Sequence, residues 1–295
     1  MKILAADLGG TNTKMGITDE LGNVEQFREY PTESDKGGPH VILRLLSMIY
    51  EYDDTQYDAI AISTAGQVNA EEGFIVYANE NIPFYTGMRV RDMVSETFNK
   101  PVRIENDVNA AALGEAHFGA AQNFNDFLCL TFGTGVGGSI IINRQIYKGA
   151  SGVAAEFGHM FTHPLSHIEN EGIRSSFYET FASTTALVKN AQKIDGTCTN
   201  GKILFDAIHQ GHEELQQVLH DWIDEVSVGL ASLIHIFNPA AIIVGGGVME
   251  QDTLVHRVEE RTKSLVMESF RNVRIVKASL GNQAGLLGAA SLFLR

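Results

Sequence analysis

The chain has 295 residues, and 22 Lys and Arg against 36 Asp and Glu give a formal net charge of −14 at neutral pH. A chain of this length is expected to form two domains and to bury about three quarters of its unfolded surface. The acidic balance argues against nucleic acid or an anionic membrane as a general partner, because both require clustered Lys and Arg. The composition therefore indicates a soluble globular protein.

The two cysteines indicate a reducing compartment. Cys129 and Cys198 can neither crosslink a chain of this size nor supply a four-cysteine zinc site. Asp7 comes too early for the apolar core of a signal peptide. The longest apolar stretch, 240–248, is much shorter than the ~20 residues that a membrane helix needs. We therefore expect a cytoplasmic protein.

Two similar series of elements follow each other along the chain. In the first series, strands at 2–6 and 13–18 flank a glycine-rich turn, and there follow a helix at 40–51, a strand at 59–63, a helix at 89–99, a strand at 101–104 and a helix at 108–118. In the second, strands at 127–131 and 139–142 flank another such turn, and there follow helices at 174–194 and 213–237, a strand at 240–244, a helix at 251–270, a strand at 273–278 and a helix at 284–294. The repetition predicts an internal duplication with a cleft between the halves.

The first glycine-rich turn, residues 7–14, has the composition of a phosphate-binding turn. Its glycines allow backbone N–H groups to approach an anion, and its hydroxyls and lysine add donors and a cation. Asp7 could hold Mg²⁺ through the water shell of the ion. A plain hairpin is the alternative, but it would not need all of these residues together. The predicted binding residues are Asp7, Gly9, Gly10, Thr11, Thr13 and Lys14.

The second glycine-rich turn, residues 133–138, also predicts phosphate binding. Gly133, Gly135 and Gly138 have the spacing of the dinucleotide fingerprint, but that fingerprint must open a helix. The residues that follow, 139–142, are strand-like, so a strand–turn–strand phosphate clamp fits better. The predicted binding residues are Gly133, Thr134, Gly135 and Gly137.

A third glycine cluster follows a buried strand. Gly245, Gly246 and Gly247 would leave a flat surface against which a nucleotide ring could lie. A simple strand-to-helix turn explains the same three residues equally well.

Asp107 occupies a strand-to-helix junction. Asp is a common N-cap, so a purely structural role is as plausible from the local sequence as a chemical one. Ala110, Ala111 and Gly114 share its helix face, so another backbone could pack closely there. A carboxylate in such a cleft can accept a hydroxyl proton as a general base.

The segment 156–159 combines an acid and a histidine. If the turn is helical, the i,i+3 spacing places Glu156 and His159 on one face. With His163 and His167 the segment could form a zinc site, but Pro164 interrupts any helix. Sugar binding by Glu156 and His159 is the favoured interpretation, and the other two histidines are interpreted as satisfied surface residues.

In their order along the chain, these motifs resemble the ROK family (repressor, open reading frame, kinase). The matching segments are 7–11, 105–107, 133–138, 156–159 and 245–247. The resemblance covers essentially the whole chain. It implies an α/β fold with two actin-like (ribonuclease H-like) domains and a cleft between them. The implied domains are residues 1–118 and 119–283, with the C-terminal helix 284–295 packing back on the first.

The family resemblance also implies an activity, an ATP- and Mg²⁺-dependent sugar kinase. Asp107 would be the catalytic base for a sugar hydroxyl, usually the 6-hydroxyl. The implied sugar contacts are Gly66, Asn81, Asn106, Asp107, Glu156, His159 and Glu179, the last three near the anomeric carbon. A homodimer is expected, because family members are commonly dimeric.

One departure from the family pattern concerns zinc. Most members have a cysteine cluster after the Gly-His pair, whereas residues 160–178 contain no cysteine. We therefore predict no zinc site. The substrate stays open between glucose, a β-glucoside such as cellobiose, and N-acetylmannosamine. A sugar-responsive regulator is the remaining alternative, although the DNA-binding domain that family repressors have before the first motif is not expected here.

Overall fold

The computed structural model describes residues 1–164 and 172–294, and it has the predicted α/β fold. The chain forms two compact units, each with its own hydrophobic core. Unit 1 comprises Met1–Asn123, Ile146–Ala154 and Asn282–Arg295. Unit 2 comprises Phe124–Gln145 and Ala155–Gly281.

The sheet of unit 1 brings three strand ends to one edge. The strands of unit 1 are β1 (Ile3–Leu8), β2 (Asn12–Thr18), β3 (Val24–Pro31), β4 (Ala59–Thr64), β5 (Gln67–Asn69), β6 (Phe74–Tyr77) and β7 (Val102–Asn106). Of these, β5 and β6 form a small separate hairpin. The order in the main sheet is β3-β2-β1-β4-β7. Because β1, β4 and β7 run parallel, their carboxyl ends meet at the same edge.

The sheet of unit 2 repeats this arrangement, as the predicted duplication requires. Its strands are β8 (Phe127–Phe132), β9 (Val136–Ile142), β10 (Gln145–Ile146), β11 (Ala241–Gly245) and β12 (Arg274–Lys277), in the order β10-β9-β8-β11-β12. Strand β8 is antiparallel to β9 and parallel to β11. In both units, then, an antiparallel pair with a glycine-rich turn leads into parallel strands.

Helices cover the sheets. In the described residues they are α1 (Gly38–Ile49), α2 (Val90–Phe98), α3 (Asp107–Phe118), α4 (Tyr178–Ala182), α5 (Thr184–Ile194), α6 (Gly201–His209), α7 (Glu213–Phe237), α8 (Asp252–Leu265) and α9 (Ala284–Ser291). No helix among them combines the length and the apolar character needed to cross a bilayer.

The predicted single helix at 174–194 is wrong. It is divided at Ser183, whose extended backbone (φ −69°, ψ 158°) ends α4 and whose side chain accepts a hydrogen bond from Ala186 N. The carbonyl of Ser183 also accepts a hydrogen bond from Trp222 Nε1 at 3.0 Å. Strand β3 and helix α6 were not predicted, because β3 is an edge strand with mostly exposed polar residues and α6 starts on a glycine.

Helices α3 and α9 pack closely through glycines in unit 1. A Cβ atom on Gly114 would lie 2.6 Å from the carbonyl oxygen of Ala284, and one on Gly288 would overlap the carbonyl oxygen of Ala110. This confirms that the Ala110–Gly114 face accepts another backbone. The end of the chain is held further by Arg103, which donates to the carbonyl of Leu292.

Candidate active site

Asp7 lies at the carboxyl edge of the unit 1 sheet, in register with Lys14 on β2 and Ser63 on β4. Ser63 Oγ donates a hydrogen bond to Asp7 Oδ1 at 2.8 Å. A Cβ atom on Gly285 of α9 would lie 2.5 Å from the same oxygen, so only glycine allows this helix so close to the carboxylate.

The electrostatics of Asp7 suit a cation. Burial raises the pKa of Asp7, and the hydrogen bond from Ser63 and the charge of Lys14 only oppose this effect. Lys14 also donates to the carbonyl of Asn282 at 3.2 Å. A partly desolvated carboxylate at a strand end fits Mg²⁺ held through water, since hard cations prefer oxygen ligands.

The turn after β1 is preorganised by backbone and hydroxyl hydrogen bonds. Gly9 N donates to the carbonyl of Asn12 at 3.2 Å, and the hydroxyl of Thr32 donates to the carbonyl of Gly9 at 2.8 Å. Apart from the adjacent residues, no atom in the described part of the chain lies within 4 Å of the Cβ position of Gly10. Gly10 and Thr11 are exposed, so the tip of the turn can receive a ligand.

The structure argues against the predicted role of Thr13 as a phosphate donor. The residue is 2% exposed, and its hydroxyl is hydrogen-bonded to the hydroxyl of Thr32 at 2.9 Å. Thr13 therefore supports the turn from its buried side, and the exposed residues of the turn are Gly10, Thr11 and Asn12.

The N-cap of α3 is Asn106, not Asp107. The backbone of Asn106 is extended (φ −62°, ψ 149°), and its side-chain oxygen accepts from the N–H groups of Val108 and Asn109 at 3.0 and 3.1 Å. The side-chain amide of Asn106 donates to Asp107 Oδ1 at 2.8 Å. Asp107 is thereby left as the first helical residue, and its carboxylate is oriented rather than used as a cap.

The carboxyl group of Asp107 has the electrostatics of a base. Burial, and to a smaller extent the negative charge of Asp7, raise the pKa of Asp107 to about 6. Hydrogen bonds from Val108 N–H and the Asn106 side chain favour the charged form and limit the shift. A carboxylate with a pKa near the working pH is suited to accept a proton from a hydroxyl.

The buried side chain of Glu105 supports the junction between β7 and α3. It is 3% exposed, and its Oε1 accepts from Asn106 N at 3.0 Å and from Asn109 Nδ2 at 3.1 Å. These contacts fix the backbone at the point where β7 passes into α3.

Of the other unit 1 residues predicted to contact sugar, Gly66 lies beside this junction. Asn106 Nδ2 donates to the carbonyl of Gly66 at 2.9 Å, and Gly66 has a left-handed backbone (φ +94°) with no room for a side chain against Tyr77 O. Asn81 is exposed, and its N–H donates to Asn79 Oδ1 at 3.1 Å. Hydrogen bonds from the Asn106 side chain therefore connect Gly66, Asn106 and Asp107, whereas the Asn81 side chain lies at the surface.

The second glycine-rich turn, in unit 2, is also closed by the backbone. Gly133 N donates to the carbonyl of Gly135 at 3.0 Å, and the carbonyl of Gly133 accepts from Thr185 N at the start of α5. Among the described residues that are not adjacent in sequence, none has an atom within 4 Å of the Cβ position of Gly133, and Thr134 is exposed. Gly137 lies in β9 beyond the turn, paired with Thr131.

Glu179, on α4, contacts the same turn. Val136 N donates to Glu179 Oε2 at 3.4 Å. A Cβ atom on Gly135 would meet that oxygen, and one on Gly158 would overlap the carbonyl oxygen of Val136, so backbone packing requires the glycine at 158. The structure thus places Glu179 between the second turn and the segment that contains Glu156 and His159.

Glu156 and His159 share one face, as the i,i+3 spacing predicted. Glu156 precedes the short 3-10 helix Phe157–His159 and His159 is its last residue, with His159 Nδ1 at 3.3 Å from Glu156 Oε2. Both side chains are about half exposed. The His159 ring meets Phe177 edge-on at 5.0 Å between ring centroids, which leaves the polar pair available to a ligand.

The three glycines after β11 have different roles. Gly246 has φ +106°, and a Cβ atom there would overlap the carbonyl oxygen of Phe132, so backbone packing alone requires a glycine. Gly245 has ordinary neighbours at 3.5 and 3.9 Å, whereas no described atom outside the adjacent residues lies within 4 Å of the Cβ position of Gly247. Of the three glycines, Gly247 is the exposed one.

His163 has protein partners, as predicted for a satisfied histidine. It stacks on Phe181 with ring centroids 3.6 Å apart, and its Nε2 lies 3.4 Å from Glu225 Oε1. Burial raises the pKa of Glu225, and the charge of His163 opposes this shift. Within 1–164 and 172–294, no group of three or more His, Cys, Asp or Glu could hold a metal ion. His167 lies outside the described residues, and the absence of zinc stays a prediction.

Three site residues were missed in the sequence. Ser63 could have been found, because it is the polar residue that follows a run of four apolar strand residues and its register with Asp7 follows from strand pairing. Thr32 and Gly285 carry no local signal, since their roles depend on contacts with residues far away in the sequence.

Comparison with known proteins agrees with this arrangement. The model of the ROK family matches residues 3–295. A beta-glucoside kinase of Listeria monocytogenes is 32% identical over 304 residues, which cover 100% of this chain and 98% of the relative.

Two solved structures have the same fold. A Listeria monocytogenes protein with a proposed N-acetylmannosamine kinase activity superposes with a TM-score of 0.89 at 29% identity, covering 100% of this chain and 99% of the other. A ROK family glucokinase from Streptomyces griseus, in complex with glucose and AMPPNP, superposes with a TM-score of 0.84 at 29% identity, covering 99% of each chain. The predicted two-domain actin-like fold is confirmed, and the chain belongs to the ROK family.

Proposed function

We propose that this chain, an ATP-dependent sugar kinase of the ROK family, phosphorylates the 6-hydroxyl of a glucose-type sugar, either free glucose or a β-glucoside such as cellobiose. The observation that carries the proposal is the carboxyl group of Asp107, which Asn106 orients at the start of α3 and whose pKa is about 6. The beta-glucoside kinase and the glucose-bound glucokinase among its relatives support the choice of sugar.

Asp107 is proposed to take the proton of the attacking hydroxyl. Its Oδ1 is held by Val108 N–H and the Asn106 amide, so the carboxylate has a fixed direction before any ligand arrives. Asn106 is proposed to bind a neighbouring hydroxyl and Gly66 to line the sugar. A fixed base removes much of the entropic cost of aligning the proton acceptor.

In unit 2, the proposed sugar contacts are Glu156, His159 and Glu179. Two carboxylates and an imidazole can accept and donate hydrogen bonds to hydroxyls near the anomeric carbon. The exposure of Glu156 and His159 supports this role, because neither is buried among protein atoms.

The phosphate-binding roles are proposed for the tips of the two glycine-rich turns. ATP with Mg²⁺ would supply the transferred phosphoryl group and neutralise part of its charge. Gly10, Thr11, Gly133 and Thr134 offer exposed donors for phosphate oxygens, Gly247 offers a surface for the nucleotide ring, and Asp7 would hold Mg²⁺ through water.

A second candidate is N-acetylmannosamine kinase, which the fold similarity to the Listeria monocytogenes protein favours. The two sugars require different features of the binding site. A β-glucoside requires space beyond O1, whereas N-acetylmannosamine requires room and a hydrogen-bond partner at the 2-acetamido group.

An ADP-release assay with glucose, cellobiose, N-acetylmannosamine and N-acetylglucosamine tests the proposal. We expect the largest kcat/KM with glucose or cellobiose and a 6-phosphate product identified by NMR. Preference for N-acetylmannosamine would favour the second candidate instead. Sugar binding without turnover of any of the four would contradict the kinase assignment and favour a regulator.

The acid side of the pH–rate profile should report the pKa of Asp107. Because a base must be deprotonated, kcat/KM for the sugar is expected to fall about tenfold per pH unit below pH 6 and to level off above it. Initial rates between pH 5 and 8 at saturating Mg·ATP would measure this. A rate that stays constant down to pH 5 would exclude a base with a raised pKa.

A further inference from the structure

The chain that follows His159 pairs with the segment that leads into α4. Tyr178 N donates to the carbonyl of Met160 at 2.7 Å, and Thr162 N donates to the carbonyl of Ser176 at 3.2 Å. Between these bonds, Phe161 and Phe177 form an antiparallel bridge. The two proposed groups of sugar contacts, Glu156 with His159 on one side and Glu179 on the other, are therefore joined by a short two-stranded segment.

His163 lies at the end of this paired segment. Its ring stacks almost flat on Phe181, with 17° between the planes, and its Nε2 lies 3.4 Å from Glu225 Oε1 on α7. Both side chains are about one-third exposed. The His163 side chain thus connects the chain after His159 to both α4 and α7.

Helix α4 depends on such external contacts. It has five residues, too few for a helix to be stable by itself. At its start, the Tyr178 hydroxyl donates to the carbonyl of Val226 at 2.7 Å, and the ring requires a glycine at 229. Near its end, Phe181 is covered by His163. Glu179 lies between these two points of attachment.

From this geometry we infer that His163, Phe181 and Glu225, here called the His163 clasp, position the sugar-binding side chains His159 and Glu179. The inference rests on the sugar-binding roles proposed above. His163 acts through its neighbours. It connects the chain after His159 to α4, and so fixes the distance between Glu156 with His159 and Glu179. It is a positioning residue and does not need to contact sugar.

The first test is independent of catalysis. Backbone amide exchange at Thr162 and Tyr178, the two donors of the paired segment, is compared between the wild type, His163→Ala and the control His256→Ala. His256 is a matched control because its Nε2 also lies 3.3 Å from a carboxylate oxygen, that of Glu260, at an exposed site on α8. We expect exchange to rise at least tenfold in His163→Ala only. Unchanged exchange would overturn the clasp, whatever the enzyme phosphorylates.

The second test concerns the sugar. We expect His163→Ala to raise the KM for sugar about fivefold, while kcat and the KM for ATP change less than twofold. His163→Phe and Glu225→Gln, which keep a ring stacked on Phe181 and alter only the contact between residues 163 and 225, should give sugar KM values between those of the wild type and His163→Ala. Faster exchange with an unchanged sugar KM would overturn the positioning role. If the wild type neither binds nor phosphorylates any of the four sugars, the proposed function fails. The exchange data would still show whether the His163 clasp holds the paired segment.

Discussion

Asp107→Asn is expected to lower kcat by about 10²–10⁴ while sugar affinity changes less than about threefold. The amide has the shape of the carboxylate and can still accept from Val108 N–H, which donates to Oδ1 at 2.9 Å. It cannot take a proton from a hydroxyl at neutral pH. The rate is measured by ADP release, and the affinity by calorimetric titration with sugar in the absence of ATP.

The same variant should be more stable than the wild type at pH 7. The pKa of Asp107 is about 6 in the folded chain against 3.8 in the unfolded one, so the folded state binds more protons between these values. The wild type therefore loses stability as the pH rises from about 4 to 6, by on the order of 1–2 kcal/mol for this half-buried group. Asparagine removes this loss, so the two proteins should differ in free energy of unfolding at pH 7 and converge near pH 4.

A matched control for Asp107→Asn is Asp58→Asn. Asp58 is exposed, and its Oδ2 accepts from the backbone N–H of Lys2 at 2.8 Å, a bond that asparagine can also accept. This variant should retain wild-type kcat and stability. Wild-type turnover in Asp107→Asn would contradict the base role, and a parallel loss of sugar affinity and kcat would assign Asp107 to binding alone.

Much of the fold could be predicted from apolar periodicity and turn chemistry. Helix α7 has the predicted bounds, 213–237, because apolar residues recur at helical spacing from Leu215 to Ile234. The two strand–turn–strand segments were also predicted, since short apolar strands on both sides of clustered glycines leave few alternatives.

The cap of α3 could not be assigned from the sequence. Asn106 and Asp107 are adjacent and both residue types cap helices well, so the local sequence does not choose between them. The choice follows from tertiary contacts: Glu105 accepts from Asn106 N, and the Asn106 amide donates to the carbonyl of Gly66. These contacts hold Asn106 outside the helix and make Asp107 the first helical residue, so its carboxylate is available for the proposed role of base.

The burial of Thr13 has a similar origin. Nothing in the segment 7–14 indicates which of its two threonines faces solvent. The answer comes from Thr32, which directly follows the unpredicted strand β3. Its hydroxyl is hydrogen-bonded to that of Thr13, and its N–H donates to the carbonyl of Thr11. A residue placed by an element that the sequence does not reveal thus decides which hydroxyl is exposed.

Gly288→Ala is expected to destabilise the protein by about 3 kcal/mol or more, because a Cβ atom at this position would overlap the Ala110 carbonyl oxygen and force α9 away from α3. The control is Gly196→Ala, because within 1–164 and 172–294 no atom outside the adjacent residues lies within 4 Å of the Cβ position of Gly196, and it should change stability by less than about 0.5 kcal/mol. Far-UV circular dichroism during urea denaturation measures both variants.

The consequences of Gly288→Ala should extend to the site, since α9 also carries Gly285, which lies against the carboxylate of Asp7. A displaced α9 admits water to Asp7 and removes part of the burial that raises its pKa. In refolded Gly288→Ala protein we therefore expect a higher KM for Mg·ATP as well as a lower denaturation midpoint. A variant as stable as Gly196→Ala would show that the α3–α9 contact tolerates a methyl group. A destabilised variant with wild-type KM for Mg·ATP would show that α9 supports the fold without positioning Asp7.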